Sequence, residues 1–124
     1  MKTALIAEDN PVNRELLREL LEIRGYTVVE ACDGEEALQR LIQSRPDILL
    51  LDMNMPVLDG METLRRIRGD ARLASLRVLA VTAYAMRGDR EQILQAGFDG
   101  YLSKPIQTKE LEQVLGDIFG GGTR

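Results

Sequence analysis

Histidine is missing altogether from this 124-residue chain, and cysteine occurs once, as Cys32. Without histidine there is no Ser-His-Asp or Cys-His catalysis, no histidine-ligated zinc and no phosphohistidine carrier. A single cysteine excludes an intramolecular disulfide and a cysteine-rich metal site. No apolar run approaches the roughly 20 residues that a helix needs to cross a bilayer. The sequence therefore predicts no signal peptide before the first strand, no membrane insertion and a cytoplasmic location. Basic residues are in the minority: 16 Lys and Arg against 20 Asp and Glu leave a formal charge of −4. That balance argues against sequence-independent binding to nucleic acid, which relies on a basic surface.

What is present is ordinary for one globular domain: 44% hydrophobic and 29% charged residues. The chain is organised around Ile48-Leu49-Leu50-Leu51-Asp52. Four apolar residues in a row read as a short strand buried on both faces, and Asp52 closes it. Alone, Asp52 suits the capping of a following helix better than it suits chemistry. Similar runs occur at Thr3–Ala7, Tyr26–Glu30, Leu76–Thr82 and Gly100–Ser103. Helical spacing joins them. Pro11 opens the first helix with Asn10 as its cap, and Val12, Leu16, Leu17, Leu20 and Leu21 form its apolar face. Asp33-Gly34 opens the second, with Ala37, Leu38, Leu41 and Ile42 facing inward, and the third shows Met61, Leu64 and Ile67. The fourth, near Asp89–Ala96, has only Ile93, Leu94 and Ala96; the last, capped by Thr108, has Leu111, Val114, Leu115 and Ile118. Five strands alternating with five helices predict an α/β fold, a parallel sheet covered on both faces by right-handed crossovers. Residues 1–119 make the domain, and residues 120–124 a flexible glycine-rich tail.

The residues just past each apolar strand carry the chemistry. They are Glu8 and Asp9 after the first, Asp52 at the third, Thr82 at the fourth and Lys104 after the fifth. In a parallel sheet these tips share one edge, where open α/β sheets bind ligands. Three neighbouring carboxylates require a cation, and hard oxygen donors without His or Cys select Mg²⁺, or Mn²⁺, over zinc or copper. Thr82 and Lys104 offer a hydroxyl and a compact positive charge to a phosphoryl group. Asp52 is then the group able to attack phosphorus and form an acyl phosphate.

The segments Leu5–Asn10, Leu49–Gly60, Val81-Thr82-Ala83 and Tyr101–Pro105, in this order and spacing, resemble the response-regulator receiver domains of two-component signalling. The resemblance covers essentially the whole chain. It is closest to stand-alone receivers and to those attached to hybrid histidine kinases. It implies a doubly wound, flavodoxin-like sheet with strand order 2-1-3-4-5. It also implies that Asp52 is the phosphoacceptor, that Glu8, Asp9, Asp52 and the Asn54 carbonyl hold Mg²⁺, and that Thr82 and Lys104 bind the phosphoryl group. Tyr101 becomes the switch aromatic, acting with Thr82 on the surface of the fourth helix, fifth strand and fifth helix. The implied partners are a histidine kinase or phosphotransfer protein as donor and a downstream protein target, with the chain a monomer or weak dimer. It would be a signalling domain that catalyses only its own phosphorylation and slow dephosphorylation. The Lys104-Pro105 bond is expected to be cis.

Two alternatives belong to other classes. A Mg²⁺-dependent phosphatase with an aspartyl nucleophile usually has a second Asp two residues on, where this chain has Asn54. A binding module that works without phosphorylation has no need for Asp52, Thr82 and Lys104 together. Arg65, Arg66, Arg68, Arg72 and Arg77 read as a solvated face.

Overall fold

Along the chain run β1 (Thr3–Ala7), α1 (Pro11–Ile23), β2 (Thr27–Ala31), α2 (Gly34–Ser44) and β3 (Ile48–Asp52). After them come α3 (Gly60–Arg68), β4 (Arg77–Thr82), α4 (Arg87–Ala96), β5 (Gly100–Ser103) and α5 (Thr108–Ile118). This computed structural model describes residues 2–55, 57–83 and 87–119, without the side chains of 87–89. The expected tail at 120–124 lies outside the described residues.

The strands form one parallel sheet in the order β2-β1-β3-β4-β5, as expected. Alternation along each strand decides what lies on either side. Leu5, Ala7, Leu49, Leu51, Val78 and Ala80 pack with Ala37 and Leu41 of α2, Leu64 and Ile67 of α3, and Ile93 of α4. Ala4, Ile6, Ile48, Leu50, Leu79, Val81 and Leu102 pack with Leu17 and Leu21 of α1 and Leu111 and Leu115 of α5. All five residues of β3 are buried, because helices cover both of its faces. Each fully buried Leu there contributes roughly 1.5–3 kcal/mol relative to exposure.

Local chemistry sets the ends. Asn10 accepts from the amides of Val12 and Asn13 and caps α1, and Gly25 leaves the helix at φ +89°. Asp33 caps α2 through Glu36, and Asp59 caps α3 through Glu62. Three expectations need correction. Thr108 is the first residue of α5, not its cap; Gln107 occupies the cap position and makes no side-chain capping bond. β2 is shifted by one residue, from the expected Tyr26–Glu30 to Thr27–Ala31, and β4 likewise begins at Arg77 and not Leu76. Several apolar positions assigned to helix faces lie outside the core: Val12 is 72% exposed, and Leu16, Ile42, Met61 and Leu94 are exposed too. In α1 the apolar arc is wider than the strip that the sheet can cover.

Candidate functional site

β3 stops at Asp52 because its side chain takes over a backbone donor: Oδ1 accepts the Asn54 N–H at 3.0 Å. Asp52 therefore does not cap α3; Asp59 does. Strand register brings the other groups to it. Ala7 pairs with Leu51, Asp52 with Val81, and Thr82 with Ser103, so the strand tips line up. Glu8 follows β1 with its N–H on Ala31 O, and Lys104 follows β5 with its N–H on Thr82 O. The Lys104-Pro105 bond is cis, as expected.

At these tips one cation faces two buried carboxyls. Lys104 Nζ stands 3.3 Å from Glu8 Oε1 and 3.3 Å from Asp52 Oδ2. Glu8 is only 1% exposed and Asp52 2%, whereas the lysine side chain keeps 22% of its surface. Glu8 Oε2 accepts the Asn10 N–H, but Oε1 is buried without a hydrogen bond; Lys104 Nζ stands close enough for an ion pair with it and donates its hydrogen bond to Asp52 Oδ2 instead. Burial first, and then the adjoining Asp52 carboxyl, push the Glu8 pKa up to about 7 against the pull of the Asn10 amide and Lys104. For Lys104 burial works to lower the pKa, but the charges of Glu8 and Asp52 outweigh it and raise it.

Glu8, Asp9 and Asp52 each offer a carboxylate oxygen within 4.8 Å of the others. Glu8 and Asp52 are buried and Asp9 is exposed. Hard oxygen donors at this separation, one of them from a glutamate that keeps a buried oxygen without a hydrogen bond, fit a Mg²⁺ or Mn²⁺ ion. Asn54 is exposed, and its side lies on the neighbouring cavity of about 240 Å³, lined also by Met53, Asp59, Met61, Thr82, Gln92 and Ile93. Thr82 is buried at the end of β4 on that same cavity. Tyr101 is half-buried, packs against the cluster containing Ile93, and carries the Arg90 guanidinium 4.9 Å above its ring.

Sequence reasoning found these residues but missed Arg14, whose Nη1 donates to the Glu8 carbonyl at 2.8 Å. The signal was its place in the first turn after the acidic pair. The arginines read as a solvated face are each ion-paired: Arg65 and Arg66 with Glu62, Arg68 and Arg77 with Asp99, Arg72 with Asp70. Arg68 is also bonded to the carbonyls of Ala74, Leu76 and Gly97.

Known proteins resemble this chain in both sequence and fold. The family model of the response regulator receiver domain matches residues 4–116. The polar-differentiation response regulator DivK of Brucella anthropi is 38% identical over 119 residues, covering 96% of this chain and 97% of that protein. The receiver domain of the sensor histidine kinase PA1611 of Pseudomonas aeruginosa, solved with a magnesium ion in its active-site cleft, is 39% identical. It superimposes with a TM-score of 0.85 over 94% of this chain and 95% of its own. Chemotaxis protein CheY4 of Vibrio cholerae, 28% identical, gives 0.88 over 96% and 99%. With a family model spanning nearly its whole length and the fold to match, this chain belongs to the response-regulator receiver domains.

Proposed function

We propose that Asp52 is the phosphoacceptor of this receiver and takes its phosphoryl group from a phosphohistidine on a histidine kinase or phosphotransfer protein. A carboxylate oxygen of Asp52 attacks phosphorus, the P–N bond breaks, and the donor imidazole leaves with the electron pair. Lys104, already ion-paired to Asp52, moves onto the phosphoryl oxygens and keeps the new anion neutralised. Thr82 donates its hydroxyl to the same group. Glu8, Asp9, Asp52 and the Asn54 carbonyl hold Mg²⁺, which supplies further positive charge for the phosphoryl oxygens when bound. Water later attacks phosphorus, the P–O bond to Asp52 breaks, and inorganic phosphate leaves with Asp52 again a carboxylate.

The observation that carries this reading is the lysine set 3.3 Å from two buried carboxyls at neighbouring strand tips, one of them holding an orphaned oxygen. Such an arrangement is costly unless something else completes it. The magnesium in the PA1611 receiver supports the choice of ion. Output follows through Thr82 and Tyr101: movement of the Thr82 hydroxyl toward the phosphoryl group leaves room for the Tyr101 ring to turn inward, away from Arg90. The face formed by α4, β5 and α5, with Arg90, Tyr101, Ile106 and Lys109, then meets a downstream protein. Met86 and the Arg87 side chain, also expected on that face, lie outside the described residues. The protein works in the cytoplasm as a monomer or weak dimer.

Incubation with acetyl phosphate or phosphoramidate and Mg²⁺ should add one phosphoryl mass, lost in Asp52→Asn and in excess chelator. Labelling that survives either treatment would refute the assignment.

A further inference from the structure

Arg14 makes contacts that a solvated helix arginine does not. It sits in the first turn of α1, with its side chain mostly shielded from solvent. Nη1 donates to the Glu8 carbonyl at 2.8 Å, and Nε donates to Glu30 Oε1 at 3.0 Å. Glu30 belongs to β2, opposite Ile6 of β1, and also pairs with Arg18. The guanidinium therefore ties three elements together at the point where the chain leaves β1.

We propose that Arg14, held in place by Glu30, is a positioning residue that sets the affinity of the Glu8-Asp9 carboxylates for a divalent cation. This rests on the reading of Glu8, Asp9 and Asp52 as the Mg²⁺ site. The carbonyl that Arg14 holds belongs to the peptide joining Glu8 to Asp9. A peptide unit moves as a rigid plane between two soft dihedrals, so turning this one swings both carboxylates. Its N-terminal neighbour is pinned by the bond from Glu8 N–H to Ala31 O, and its C-terminal end by the Asn10 cap on α1. Between them the Glu8 carbonyl has Arg14 as its partner. A guanidinium suits this task because its donors are fixed in one plane: with Nε committed to Glu30, Nη1 has a defined direction. Partners that orient metal-binding groups from behind commonly matter ten- to a hundredfold in affinity.

Charge makes the idea discriminating. Arg14 is a cation beside a cation site, so if its charge alone mattered, removing it would tighten Mg²⁺ binding. Positioning demands the opposite sign.

Calorimetric titration with MgCl₂ at constant ionic strength, on the full chain, tests this. Wild type, Arg14→Met, Glu30→Ala and Ile67→Val are compared, each with thermal unfolding in chelator. Arg14→Met should raise the Mg²⁺ dissociation constant about tenfold or more. Glu30→Ala should fall between it and wild type. Ile67→Val, a core change in α3 away from this tie, should lose stability but keep the wild-type constant. Arg14→Met binding as tightly as wild type, or more tightly, overturns the proposal, as does equal weakening in Ile67→Val. Should Arg14→Met fail to fold, wild-type affinity in Glu30→Ala overturns it instead. A wild-type protein that takes up no Mg²⁺ would overturn the metal-site reading itself, and this inference with it.

Discussion

Glycine-to-alanine substitution should change stability in opposite directions at two helical positions. At Gly60, the first residue of α3, an added Cβ would stand 2.8 Å from Met53 Cα, 2.9 Å from Met53 Sδ and 3.1 Å from the Asp52 carbonyl oxygen. The thioether can swing aside. The Cα and the carbonyl cannot, because they belong to the backbone that carries Asp52 out of β3. Overpacking of this kind costs about 1–3 kcal/mol, and alanine's helical advantage, at most about 1 kcal/mol, is smaller in the first turn. At Gly116, exposed in α5, the added methyl meets nothing within 4 Å. There the helical advantage stands alone, about 0.5–1 kcal/mol. The two variants should thus differ by about 1–4 kcal/mol in urea denaturation followed by circular dichroism. The Asp52 labelling assay supplies a second readout. Displacing Met53 disturbs the Asn54 amide that holds Asp52 Oδ1, so Gly60→Ala should label more slowly while Gly116→Ala labels as wild type. A Gly60→Ala protein as stable as wild type, or a destabilised Gly116→Ala, would refute the reasoning.

Other perturbations have equally definite signs. Lys104→Met leaves two buried carboxyls without their cation and should cost about 1–3 kcal/mol in metal-free urea denaturation, below the usual value for a buried pair because the lysine is partly exposed. Adding Asp52→Asn to that variant should recover part of the loss, and no recovery would count against the pairing. Val57 is a β-branched residue at φ +70° and is 76% exposed. Val57→Asn should therefore stabilise the fold by about 0.5–1.5 kcal/mol, measured the same way. The side-chain and backbone hydrogen bonds from Arg72 pull the Asp70 carboxyl pKa down to about 2 from its ordinary 3.8. A depressed carboxyl contributes stability above its unfolded value and loses it as the pH falls through the folded one, so this contribution fades between about pH 4 and pH 2. An NMR titration of Asp70 should have its midpoint near the lower figure and move upward in Arg72→Ala.

How much of this was legible in the sequence depends on what each side chain announces locally. The buried strands declare themselves, since Ile48–Leu51 cannot be half-exposed, and so do the polar residues at their ends. Helix faces are less legible. In α1 the apolar residues 12, 16, 17, 20, 21 and 23 spread around much of the helix, and only Leu17 and Leu21 are buried, with Leu20 half-buried. Periodicity identifies the helix but not which edge of a wide arc meets the sheet. Thr108 has the right side chain for a cap, yet the residue with extended backbone there is Gln107. Arg14 left only its place in the first turn after the acidic pair, because an arginine among Glu15, Arg18 and Glu19 reads as solvated until Glu8 and Glu30 are seen on either side of it. Lys104 beside Asp52 was legible from the strand ends, but its second partner Glu8, 96 residues away, was not, because the two meet only through strand register.

One consequence of strand alternation was countable from the first strand onward. Ala4 and Ile6 point to the α1 and α5 side, and so, continuing by twos, would Glu8; Ile48 and Leu50 lead likewise to Asp52, and Leu102 to Lys104. Val78 and Ala80 belong to the opposite side, and by the same count Thr82 follows them, to the cavity beside Met61 and Ile93. Tyr101 also packs on that side. Parity thus divides the site into two halves. The two carboxyls and their lysine meet over one face of the sheet, whereas the hydroxyl and the aromatic ring lie over the other. β3 and β4 are hydrogen-bonded neighbours, with Asp52 opposite Val81, so the halves meet across a single strand pair. In the proposed mechanism a phosphoryl group on Asp52 must draw Thr82 across that pair. The resulting shift can only be expressed where Thr82 and Tyr101 have their neighbours, on the α4 and β5 side. α4 is well suited to respond, because among its described residues Ile93 alone is buried. α1 is anchored instead by Leu17, Leu21 and the Arg14 tie, and so serves as the fixed side against which the carboxylates are aimed.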